Sequence, residues 1–88
     1  LDIRYSYGIS IGFSTSPAAC RSVTSSVIFL NSPYAYDIGD ICYTSASGYT
    51  VFAGNPTKWY KIDNGDGAYA VQINSNGVIL NIPLGCGF

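Results

Sequence analysis

The sequence has no histidine, no glutamate and no methionine, and its charge is confined to four Lys or Arg and five Asp in 88 residues. Without histidine, Ser-His-Asp and Cys-His catalysis are excluded, and His-containing zinc sites with them. A paired-carboxylate hydrolase would need two of Asp2, Asp37, Asp40, Asp63 and Asp66. These fall at a terminus, in turns or beside glycines, where local turn chemistry accounts for them. The expectation is a non-enzymatic chain with no cofactor and no metal. Asp63, Gly65 and Asp66 resemble a fragment of a calcium loop, but the twelfth position counted from Asp63 is Asn74, not a bidentate acid, so the segment reads as a turn.

Positive charge is equally scarce. Arg4, Arg21, Lys58 and Lys61 are scattered and the net charge is −1, so no basic patch exists to neutralise phosphates and nucleic acid is not an expected partner. No window approaches the ~18 consecutive apolar residues of a membrane helix, and the charged and apolar regions of a signal peptide are missing. Together with the missing initiating Met, this leads to the expectation of a processed or excised piece.

What is present is apolar and neutral. Hydrophobic residues make up 48% of the chain and charged residues 10%, against about 25% charged in an ordinary globular domain. Ser, Thr, Asn, Gly and eight tyrosines must therefore cover the surface. Such a surface hydrogen-bonds without repelling a like neighbour, which suits packing against copies of itself. A chain of this length has room for one core, whose stability calls for a staple or a partner.

The pattern is that of strands. Leu1, Ile3, Tyr5, Tyr7, Ile9, Ile11 and Phe13 alternate with small or polar residues, a β period sustained over residues 1–13. That is roughly twice a typical strand length, so the segment either bends at Gly8 or Gly12 or reaches beyond its own domain. Residues 14–19 read as a loop. Segments 23–30, 38–44, 49–53, 58–62, 69–73 and 78–82 read as strands separated by Gly, Asn, Asp and Pro turns, with Asn74-Ser-Asn-Gly77 the clearest hairpin signal. The expected fold is all-β, a small antiparallel sandwich or barrel of six to eight short strands. It divides into an extended N-terminal strand, 1–13, pairing with a neighbouring subunit, and a compact domain, 14–88.

The three cysteines allow one pair plus a leftover, or an intermolecular bond. Cys42 lies inside an expected strand, where a thiol behaves as a small buried hydrophobe. Cys20 and Cys86 lie in loop-like surroundings at the two ends of the compact part, and are the expected disulfide, which places the chain in an oxidising, extracellular setting. Trp59, Tyr34, Tyr36 and Tyr49 are candidate glycan contacts, since aromatic faces stack on apolar sugar faces. The plainer reading makes them core and interface.

Tyr7-Gly-Ile-Ser-Ile-Gly-Phe13, Ala19-Cys20, Gly39-Asp-Ile-Cys-Tyr-Thr44, Trp59-Tyr-Lys-Ile62, Asn74-Ser-Asn-Gly-Val-Ile79 and Cys86 together resemble a cysteine-bounded β module of Bacteroidetes surface proteins and of structural, fibre-like proteins of Bacteroidetes phages. The family pattern usually has an aliphatic residue at the position of Cys42, and this chain differs from the commoner members in its long regular strand over residues 1–13. The resemblance implies an extracellular structural or attachment role, on a cell or virion surface. The expected function is a structural subunit of a filament or fibre, assembling by β-strand addition through Leu1, Ile3, Tyr5, Tyr7 and Ile9 with copies of itself or with a larger fibre protein. The alternative is a glycan-binding adhesin or receptor-binding tip, whose partners are host or surface glycans.

Overall fold

The computed structural model describes residues 4–31, 36–63, 65 and 67–86. Five strands, β1 (Tyr5–Ile9), β2 (Ser26–Leu30), β3 (Tyr60–Asp63), β4 (Ala68–Val71) and β5 (Leu84–Gly85), form one antiparallel sheet in the order β2-β1-β3-β4-β5. Alternation decides which face each strand buries. Tyr7 and Ile9 sit opposite Ile28 and Ile62 in the register, and Tyr60 opposite Val71, so all six point to one side. There they meet Tyr36, Cys42, Ile73 and Ile79, with Phe52 packed against the cluster. Burying side chains of this kind contributes roughly 1.5–3 kcal/mol each, and this cluster is the chain's core.

The strict alternation of residues 1–13 does not survive as one straight strand. β1 pairs Ile9 with Ile62, yet further along Phe13 pairs with Trp59, an advance of four residues on one side against three on the other. The extra residue is a β-bulge. Ser10 accommodates it: its amide donates to the Lys61 carbonyl (3.0 Å), and its hydroxyl accepts from the Lys61 amide (2.9 Å) in place of a carbonyl. Beyond the bulge the faces exchange, which is why Ile11 is 65% exposed while Ile9 is fully buried.

Where six to eight strands are expected, the described residues form five, together with isolated bridges that link Tyr43 to Phe29 and Val51, and Ile41 to Val78. The segment from Asp40 to Thr44 changes partner too quickly to make a ladder. The Asp40 carbonyl accepts from Ile79, the Cys42 amide donates to Gly77, Tyr43 exchanges bonds with Phe29, and Thr44 donates to Thr50. The sheet is not closed into a barrel. The expected hairpin is present: Asn74 Oδ1 accepts from the Asn76 and Val78 amides, and Gly77 has φ +79°.

Residues 14–19, read as a loop, contain a short helix, α1 (Ser16–Cys20). Thr15 caps it by accepting from the Ala18 amide, and Pro17 sits in the first turn, where its missing N–H costs nothing. Five residues cannot hold a helix alone. This one packs on β3 and β4, with Ala19 and Ala70 both fully buried, and Lys61 Nζ donates to the Ser22 carbonyl at 2.9 Å to fix its exit. β4 is thus covered on both faces. No helix among the described residues is long and apolar enough to cross a membrane.

Candidate functional site

Of the residues expected to reach into a neighbour, Leu1 and Ile3 lie outside the described residues. Tyr5, Tyr7 and Ile9 lie in β1 of the chain's own sheet. β1 lies between β2, which pairs with all of Tyr5–Ile9, and β3, which pairs with Gly8 and Ile9. Tyr7 is 3% exposed, Ile9 is fully buried, and only Tyr5, at 36%, keeps a surface component. Burial, with Asp40 and Tyr5 nearby, raises the Tyr7 phenol above its ordinary value. The bulge takes up part of the excess length of residues 1–13.

The structure does not bring the candidate glycan contacts together. Tyr34 lies outside the described residues. Tyr36 is buried, its hydroxyl donating to the Ile62 carbonyl at 3.0 Å and its ring meeting Tyr7 and Tyr69 edge-on at 5.5 and 5.7 Å. That environment pushes its phenol far above the ordinary value, through burial first and then through neighbouring Tyr69, Tyr7, Asp63 and Cys42. It is a core residue, not a sugar contact. Trp59 is half-buried and backbone-paired with Phe13. Tyr49 alone presents its ring outward, at 75% exposure.

Tyr49 belongs to a cluster that sequence reasoning missed. The Arg4 guanidinium lies over the Tyr43 ring at 3.7 Å and near that of Tyr49 at 5.2 Å, and the two rings meet edge-on. Arg4 Nη1 also donates to the carbonyls of Ser45 and Gly48, so one cation organises the 45–49 loop. Arg4 is 41 residues from Ser45 in the chain, and no local pattern could have announced the contact. Beside Tyr43, a cleft of about 340 Å³ is lined by Asn31, Gly39, Asp40 and Ile41. Asp63 accepts from the Gly65 amide at 2.8 Å, which is turn chemistry as the sequence suggested.

Cys20 and Cys86 form a disulfide, with Cα atoms 5.3 Å apart. This fits an oxidising, extracellular setting. Cys42 is a free, fully buried thiol, pushed up from the ordinary 9.0 to about 12 by burial and secondarily by Asp40.

Several large apolar side chains stand at the surface. Ile11, Val23, Val27, Ile38, Tyr49 and Ile82 are each more than half exposed, and Leu84 nearly so. The sheet ends in β2 on one side and the two-residue β5 on the other. On β2, Phe29 spends its outward amide and carbonyl on Tyr43, leaving Val27 as the open pair position. Beside β5 lies Pro83, which has no N–H to offer a further strand. No family model, no curated protein and no solved structure matches this chain.

Proposed function

We propose that the chain is a non-enzymatic structural module of an extracellular filament or fibre, on a cell or virion surface, which assembles with copies of itself or with a larger fibre protein by strand pairing at its sheet edges. One observation carries this reading: a module of 88 residues displays six large apolar side chains more than half exposed while holding only four cations and five anions. Scattered single hydrophobics need no explanation, but this number on so small and neutral a surface favours burial against other chains. Strand pairing is the mode that suits an all-β chain with two sheet ends, and β1 is paired along its length with β2 and through Gly8 and Ile9 with β3.

Sedimentation over a hundredfold concentration range, with electron microscopy of the most concentrated sample, tests the proposal. Growth in mass with concentration, or visible filaments, supports it; a monomer throughout refutes self-assembly.

A glycan-binding tip is the second reading, and it rests on Tyr49, whose exposed ring is held beside Arg4 and Tyr43. A glycan array probed with the chain and with Tyr49→Phe and Tyr49→Ala separates the two. Binding kept by Phe and lost with Ala favours the sugar site, and a silent array excludes it.

A further inference from the structure

The last strand of the sheet is held by little besides one covalent bond. β5 consists of Leu84 and Gly85 opposite Ala70 and Tyr69, and Cys86 adds a bond from its amide to the Ala68 carbonyl at 3.0 Å. Its one large side chain, Leu84, is 46% exposed, and the preceding Ile82 is 69% exposed. So few contacts do not offset the entropy lost in ordering residues 82–86. The Cys20–Cys86 bond, closing a separation of 66 residues, keeps the segment in place.

Just upstream the chain is firmly fixed. The Leu80 amide donates to the Gln72 carbonyl at 2.8 Å, and Asn81 Oδ1 accepts from the Gln72 amide at 2.6 Å. The boundary between the fixed and the lightly held parts falls at Ile82 and Pro83. Underneath, β4 is a regular, proline-free strand with Ala70 fully buried, and a groove of about 270 Å³ runs between it and α1, with Leu84 in its wall.

We propose that the outer edge of β4 is an acceptor site for residues 82–86 of a second copy of this chain, and that the disulfide is the latch that selects between a copy's own segment and its neighbour's. This rests on the assembly reading above and names its surface. The occupant follows from what already lies there: an identical segment from another copy makes the same backbone bonds, forms the same wall of the groove and presents the same cysteine to Cys20. A net charge of −1 sets little repulsion between copies. Reciprocal exchange closes a two-fold dimer, and onward exchange gives an open chain built on the same bonds.

The chemistry balances without an oxidant. A thiolate of added glutathione attacks one sulfur of the Cys20–Cys86 bond, forming a mixed disulfide and releasing the other cysteine as a thiolate. That thiolate attacks the corresponding bond of a second copy. When the last cysteine thiolate displaces glutathione from the mixed disulfide, two S–S bonds within chains have become two between chains, and the glutathione thiolate is regenerated. Cys42, fully buried, does not start the exchange.

The test mixes equal amounts of the ¹⁵N-labelled and unlabelled chain, each with its disulfide formed, at high and low concentration with a catalytic quantity of reduced glutathione. After alkylation, trypsin cuts following Arg4, Arg21, Lys58 and Lys61, which separates Cys20 (peptide 5–21), Cys42 (22–58) and Cys86 (62–88). The expected result is that up to about half of the linked 5–21/62–88 pairs carry one heavy and one light peptide, that this share grows with concentration, and that the mixed pairs come from species of at least twice the monomer mass. Larger species whose linked pairs are all isotopically pure would overturn the exchange while leaving the structural reading intact. A monomer at every concentration would overturn both.

Discussion

Ser10 and Lys61 are paired through two bonds of different kinds: the Ser10 amide donates to the Lys61 carbonyl at 3.0 Å, and the Lys61 amide donates to the Ser10 hydroxyl at 2.9 Å. Ser10 is only 3% exposed, so no water can replace its hydroxyl cheaply. Ser10→Ala leaves the Lys61 N–H without an acceptor and is expected to cost about 1–3 kcal/mol. Urea denaturation would show a lower midpoint at an unchanged slope, and Ser10→Thr, which keeps the oxygen, should lose less.

Gly54 is packed so closely that a Cβ built on it would lie 2.3 Å from the Ile73 carbonyl oxygen and 2.9 Å from that of Asn74. Its own amide donates to that Asn74 carbonyl at 3.0 Å, so neither backbone can withdraw without losing the bond. Gly54→Ala is expected to destabilise by about 1–3 kcal/mol or more, as overpacking does. Gly39→Ala meets no neighbour within 4 Å, and there only the φ of +91° opposes the change. Thermal midpoints should fall for both, Gly54→Ala reporting the packing clash and Gly39→Ala the backbone strain.

Stability should fail in alkali before it fails in mild acid. The Cys42 thiol ionises near 9.0 when the chain is unfolded and near 12 when folded, because burial and then Asp40 oppose the charged form. The unfolded chain therefore binds fewer protons than the folded one between those values, and stability falls as pH rises through that window, by up to about 1.4 kcal/mol per unit for this group. Tyr36 and Tyr7, also raised, add to the loss above about pH 10. The urea midpoint should stay flat with respect to these groups below pH 9 and drop above it. Cys42→Ala, though less stable at neutral pH because of the cavity, should begin its decline later.

Arg4 stacks on Tyr43 and donates to the carbonyls of Ser45 and Gly48. Arg4→Lys keeps the charge but loses the planar fork, and is expected to cost about 1 kcal/mol or more. The signature is local: amides in residues 45–49 should exchange with solvent faster, while those of β3 and β4 stay protected.

Much of this was legible from period and turn chemistry, which act locally. The hairpin at Asn74 to Gly77 follows from Asn side chains that close turns and a glycine with positive φ, and the Cys20–Cys86 pair follows from the position of each cysteine outside the strand pattern. Illegible were the features set by distant partners. Alternation shows that Tyr7 and Ile9 share a face, but not whether that face meets the chain's own core or another chain. α1 escaped notice because five residues carry too little periodicity, although Thr15 and Pro17 are a start signal. An exposed and a buried tyrosine look alike in sequence, and only Tyr36, with its hydroxyl on the Ile62 carbonyl, proved to be core among the described candidate sugar contacts.

The bulge after Ile9 has a bearing on how this chain tolerates change in length. Because the ladder carries one spare residue there, shortening that stretch by a single position would remove the bulge and still leave Phe13 opposite Trp59. Loss of one residue from the turn at 45–48 rotates nothing downstream. A deletion within Tyr5–Ile9, where the ladder has no spare residue, should thus be more severe than one between Ile9 and Phe13, and the phase of the strand, more than its hydrophobicity, sets which is survivable.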